Sequence, residues 1–280
     1  MSLNSTRSIP IVSGSSSTTF DGTNKYTLRL PASGYTSGKD EVALKSMSVY
    51  YSWPNISAAK GNNTFSYTWN GATFPVVIAD GIWTFADLNS YMQQVMAVNG
   101  HYLLNSSGVK QYYINLTVNP TLYCLSLVIQ PIPSSLPAGW TNPAAVVLSG
   151  FCPQLIIPSN MTILTGFPAA TYPAVTQTAV FYVNSGIPQI SDVSALNILC
   201  NLVDNSGFTV SSNVLASFVV PSGQQPGSLM TIQPNNIDWV PVQGSSSFSE
   251  ITLELVDQLR RPVTIRDPSG FVTILSLRRR

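Results

Sequence analysis

Apolar runs in this chain are short, and they follow one another almost without interruption. They fall near residues 26–30, 42–50, 64–69, 73–79, 111–118, 122–130, 179–183, 195–203, 214–220, 229–233, 248–256 and 271–277, separated by clusters of Gly, Pro and Asn. Val, Ile, Thr, Tyr and Phe fill these runs, and such side chains suit a half-buried pleated surface. Many short strands with turn residues between them predict a sandwich or barrel. The clearest strand is near the C-terminus, where Ile251, Leu253 and Leu255 alternate with Glu250, Thr252 and Glu254, giving one apolar and one polar face. Asp267-Pro268-Ser269-Gly270 places Asp first, Pro second and Gly last, the preferences of a type I turn, and 271–277 returns as a closing strand. One helix interrupts the pattern. Phe85, Leu88, Met92, Val95 and Met96 share a face at 3.6-residue spacing, Thr84 and Asp87 resemble a capping box, and Asn99-Gly100 supplies a stop. The expectation is an all-β domain with one short amphipathic helix laid over one end.

Residues 1–24 read as a flexible arm, because 13–19 is almost wholly Ser, Thr and Gly. Residues 25–280 read as a single domain, a length that buries an ample core without disulfides or metals. Within it, 131–175 reads as a Pro-rich insertion or outer loop, with Pro131, Pro133, Pro137 and Pro143 near its start. No 18-residue apolar run is present to span a membrane, and the Ser/Thr-rich start lacks the apolar core of a signal peptide.

Charge is sparse and unevenly placed. Asp, Glu, Lys and Arg make up 9% of the chain, against about 25% in typical soluble proteins, and none occurs between Lys110 and Asp192. A charge-free stretch suits a contact surface that must lose water on assembly, since burying an unpaired charge is costly. It suits core strands plus an outer loop equally well. Six of the arginines, Arg260, Arg261, Arg266, Arg278, Arg279 and Arg280, lie in the last segment. The cluster Arg278, Arg279, Arg280 is either a solubilising end or a sequence-blind contact with packaged nucleic acid or an acidic neighbour.

The residue types that carry reaction chemistry are scarce. His101 is the sole histidine, just past the helix stop, and reads as a solvated or packed loop residue whose replacement by Ala would leave folding intact. Cys124, Cys152 and Cys200 stand far apart in apolar or Pro-flanked runs and read as core, not as disulfides or zinc ligands. Glu250 and Glu254, on one strand face about 13 Å apart by strand rise, lie too far apart for paired-carboxylate glycoside hydrolysis. They suit solvent or cross-strand pairing with Arg. No catalytic residue, cofactor site or metal site is assigned, and the chain is expected not to be an enzyme.

Four blocks resemble a known family in order. Leu253-Glu254-Leu255-Val256-Asp257-Gln258-Leu259-Arg260-Arg261-Pro262, followed by Ile265, Asp267 and Ile274-Leu275-Ser276-Leu277-Arg278, resembles the C-terminal signature of penton (minor capsid) proteins of virophages, mavirus-like ones above all, and of Polinton-like viruses. Ser52-Trp53-Pro54-Asn55-Ile56 resembles the family's strand-ending element. Asp80-Gly81 with Trp83, Leu88, Asn89, Tyr91 and Met92 resembles its helix start, with Trp83 where Tyr is usual. Pro188, Leu199-Cys200-Asn201-Leu202-Val203, Asn205, Val214-Leu215, Ser217-Phe218 and Pro226-Gly227 resemble its central strand block. The resemblance covers about 42–278 and leaves 131–175 unmatched. It implies a single eight-stranded jelly-roll β-sandwich, five copies of which form an icosahedral vertex inside a ring of double-jelly-roll major capsid protein. The location it implies is the virion, assembled inside the infected host cell. The rival reading is a secreted β-sandwich carbohydrate-binding or adhesin module, which would favour disulfides, a signal peptide and exposed aromatics around a sugar pocket.

Overall fold

A computed structural model describes residues 6–36, 39–203, 213–221, 223–242 and 246–279. The chain divides into two compact units, 1–53 with 193–280, and 54–192. The second is therefore an insertion into the first, where the sequence predicted one continuous domain. Both units are built of the same short, turn-bounded strands, so no change of period marks the boundaries.

The eight principal strands of the first unit are numbered along the chain: β1 Arg7–Val12, β2 Lys25–Thr36, β3 Asp40–Tyr50, β4 Ala195–Cys200, β5 Val214–Val219, β6 Leu229–Ile232, β7 Ser246–Asp257 and β8 Val272–Arg279. One sheet has the order β1-β8-β3-β6 and the other β5-β4-β7-β2, with the short strand Thr18–Phe20 beyond β2. Each of these pairings is antiparallel. First strand pairs with last, second with seventh, third with sixth and fourth with fifth. A folded ribbon wound around a barrel gives that order, and it is the jelly roll. The expected all-β jelly-roll class is thus what the chain adopts, and the segment 54–192 is threaded between its third and fourth strands.

Alternation supplies the core. Ile251, Leu253 and Leu255 of β7 and Leu196 and Ile198 of β4 are fully buried, as are Val42 of β3 and Leu275 of β8. Phe271 stacks on Tyr26 with ring planes 6° apart. Glu250 lies across from Arg29, and Glu254 across from Lys25, on the outer face. Residues 7–12 correct the expectation of an arm over 1–24: they pair along β8 from Arg7 opposite Leu277 to Val12 opposite Val272. Pro10 sits in this strand without penalty because β1 is at the sheet edge, where a missing N–H breaks no ladder. The turn before β8 is one residue later than predicted. Phe271 N–H donates to the Pro268 carbonyl, while Asp267 Oδ1 accepts from Ser269 N–H.

The inserted unit holds a four-stranded sheet, in the order Ala170–Tyr172, Gln154–Ile157, Thr64–Trp69, Ala72–Val77, and a three-stranded one, Phe181–Asn184, Cys124–Ile129, Ile114–Asn119. Asn70 and Gly71, both at positive φ, form the two-residue loop of the 64–77 hairpin, where left-handed residues match the strand twist. The helix, α1 Phe85–Val98, has the predicted Thr84/Asp87 capping box. It lies against Ile114–Asn119, where Asn89 Oδ1 accepts from Leu116 N–H at 2.8 Å and Gln93 donates to Asn115 Oδ1 at 2.8 Å. Gln154–Ile157 is an interior strand, so the stretch 131–175 is not wholly the loop or insertion its prolines suggested.

Candidate functional site

The C-terminal strand brings part of the arginine tail against an acidic pair. Register sets Arg278 opposite Glu41 and Arg279 opposite Asp40 on β3. Arg278 Nη2 and Nε lie 2.8 and 2.9 Å from Glu41 Oε2, and its guanidinium sits 4.0 Å from the centre of the Trp239 ring. Glu41 is buried, so the carboxylate and the indole together hold Arg278 against the sheet. Arg279 is exposed, and Arg280 lies outside the described residues. Arg261 belongs to a different feature, the turn after β7, where its Nε meets Asp257 Oδ2 at 2.6 Å. Trp239 carried no sequence signal. Nor did the sequence assign Asp40 and Glu41 to the arginine tail, since Glu41 and Arg278 lie 237 residues apart.

His101 is a core residue. Its Nδ1 lies 2.9 Å from Tyr67 Oη, which accepts from Asn99 Nδ2 at 2.9 Å. Trp69 stacks on the imidazole at 11° between planes, and Phe74 meets it edge-on. Desolvation disfavours the charged ring and lowers its pKa to about 4. The ring is therefore neutral near pH 7, and a single proton is shared along the Tyr67 Oη–Nδ1 hydrogen bond. Its replacement by Ala would leave a void among aromatic side chains, contrary to the expectation that folding would be untouched. The three cysteines are buried and unpaired, and burial pushes the Cys200 thiol up to about 11.

In the inserted unit, charged side chains are few and all engaged. Lys60 Nζ binds Asp192 Oδ1 at 2.9 Å and the Pro54 carbonyl at 2.7 Å. Asp80 accepts from Ala58 N–H, Asp87 caps α1, and Lys110 lies over the Tyr102 ring. Apolar side chains meanwhile lie on its outside, among them Val98 (82% exposed), Tyr123 (76%) and Ile187 (75%). Such a surface is poor in the charges that make wetting favourable.

Two of the sequence blocks meet in this unit. Ile56 and Gly81 form a β-bridge, with Gly81 N–H donating to Ile56 O and Ile56 N–H to Gly81 O. Asn55, buried, accepts from Trp83 N–H through Oδ1 at 2.8 Å and donates through Nδ2 to the Trp83 carbonyl at 2.7 Å and the Ile190 carbonyl at 2.9 Å. The Trp83 indole is set in turn by an Nε1–H bond to the Ala79 carbonyl at 2.9 Å. Sequence reading singled out these blocks without revealing that they form one node, since hydrogen bonds between positions 28 residues apart leave no periodic trace.

Among solved structures, the chain is similar to the mavirus penton protein, with a TM-score of 0.48 and 9% identity over 98% of each chain. It is also similar to a chain of the Sputnik virophage, with a TM-score of 0.38 and 11% identity over 98% of this chain and 97% of that one. No family profile matches the sequence, and no curated protein matches it.

Proposed function

We propose that this chain is a structural subunit of an icosahedral virus shell, the penton of a virophage-type capsid. Five copies would form each vertex, bordered by a double-jelly-roll major capsid protein. The observation that carries this reading is the pairing of a jelly roll of order 1-8-3-6 and 2-7-4-5 with an inserted unit whose five charged side chains are all engaged internally. Exposed Val98, Tyr123 and Ile187 then lie where neighbours can dry them at little cost in lost charge solvation. A five-fold ring uses heterologous contacts, one flank of each copy meeting a different flank of the next. On this reading the chain works by shape, in the virion, after assembly in the infected cell. Contact with packaged DNA would fall to Arg279 and Arg280, since Arg278 is engaged by Glu41 and Trp239.

Light scattering and negative-stain imaging of the purified chain test the assembly. Five-fold rings, or a monomer that becomes pentameric on concentration or with the major capsid protein, are expected. A chain that stays monomeric at millimolar concentration and does not enter shells co-assembled with the major capsid protein overturns the reading. For the DNA contact, removal of Arg279 and Arg280 should lower affinity for duplex DNA and flatten its salt dependence. An unchanged salt slope refutes it.

A further inference from the structure

A cleft of about 430 Å³ opens in the inserted unit between residues 80–83 and the first three turns of α1, lined by Asp80, Gly81, Trp83, Asp87, Tyr91 and Gln94, with Ile82 and Ser90 completing it. Its aromatic wall is fixed before anything binds. The Trp83 backbone is clamped by Asn55, its indole N–H is held by the Ala79 carbonyl, and Tyr91 Oη donates to the Val77 carbonyl at 2.8 Å. The two rings meet edge-to-face at 5.3 Å. Gly81 lets the indole lie this close, because a Cβ there would come within 3.0 Å of Trp83 Nε1. The rest of the lining is hydrogen-bonding: two carboxylates, the Gln94 amide and the Ser90 hydroxyl, with no lysine or arginine. Both Thr84 donors that reach Asp87 fall on Oδ2, and no described residue bonds Oδ1.

We propose that this cleft binds a neutral hexose unit of a glycan. A pyranose carries a C–H face and an equatorial rim of hydroxyls. The first stacks on an aromatic face, and the second donates to carboxylates and exchanges hydrogen bonds with an amide. A rigid platform limits the ordering cost of such a shallow contact. A lining that holds carboxylates and no lysine or arginine to receive an anion selects against sialylated or sulfated sugars. The site does not depend on the shell reading above, since it lies within one copy of the inserted unit.

The test is saturation-transfer NMR of the full chain with the methyl glycosides of glucose, galactose, mannose and N-acetylglucosamine, and with lactose against sialyllactose. At least one neutral glycoside should give saturable transfer to its ring C–H protons, and sialyllactose should bind no better than lactose. Gln94→Ala should weaken binding roughly tenfold, as loss of a ligand hydrogen bond of ordinary strength does. Trp83→Ala should abolish it. Should Trp83→Ala fail to fold, Ser90→Arg, at an exposed helix position, should block the cleft and abolish binding instead. Absence of saturable transfer from all four glycosides overturns the proposal, as does transfer undiminished in folded Trp83→Ala or Ser90→Arg, or a preference for sialyllactose.

Discussion

Asn55 grips Trp83 at both of its backbone polar groups, accepting from the N–H at 2.8 Å and donating to the carbonyl at 2.7 Å. The same amide also reaches the Ile190 carbonyl, so one buried side chain joins three separate stretches of the inserted unit. Asn55→Ala is expected to cost about 2–4 kcal/mol, because buried partners lose bonds without gaining water. Asn55→Asp should be no better, since it sets a charged acceptor against two carbonyls. Urea denaturation of the full chain measures both.

His101 makes a pH prediction with a definite sign. The folded ring has a pKa of about 4 and the ordinary value is 6.5. Between these values the unfolded chain binds a proton that the folded chain does not, so stability falls as pH drops from about 6.5 to about 4 and this group contributes no slope above that window. His101→Gln removes the titration, and its melting midpoint should fall less than the parent's across the same window. His101→Ala, which empties the space beside Trp69 and Phe74, should cost about 2–4 kcal/mol at pH 7.

Neighbouring arginines should behave differently. Arg278→Ala is expected to cost about 1–3 kcal/mol, because it removes a charged partner of a buried carboxylate and uncovers Trp239. Arg279→Ala, at an exposed position, should fall within about 0.5 kcal/mol of the parent. A double-mutant cycle of Arg278→Ala with Glu41→Gln should show coupling, and equal effects from both arginines would contradict the geometry.

Gly166 has φ +73°, and a Cβ there would stand 2.5 Å from the Gly186 carbonyl oxygen. Backbone meets backbone, so neither side can yield as a flexible side chain would. Gly166→Ala should destabilise the chain by about 2–4 kcal/mol, read as a lowered melting midpoint. Gly223→Ala, with similar φ but open space around it, should cost only the conformational part, about 1 kcal/mol.

Local patterns were legible and distant ones were not. The capping box of α1, the alternation of Ile251, Leu253 and Leu255, and the burial of all three cysteines could be read from spacing and composition, because each depends on neighbours in sequence. Strand β1 escaped notice because Pro10 and the Ser-rich residues after it look unlike a strand. An edge position with β8 beside it makes that sequence acceptable. The insertion escaped notice because two all-β units share one period, though the scarcity of charge in 54–192 marks it in retrospect. At the candidate sites, the arginine tail and the block around Trp83 stood out as residues. Their partners, Glu41 and Trp239 for Arg278 and Asn55 for Trp83, are brought to them only by the fold.

Lys60 carries a last implication. Its ammonium holds the carbonyl of Pro54, the residue that opens the inserted unit, and the carboxylate of Asp192, the one that closes it. A length of chain whose two ends are clasped at a single point does not need its host to bring them together. Such a closure makes 54–192 the stretch expected to tolerate excision, or grafting into another β3–β4 connection, without rethreading either partner.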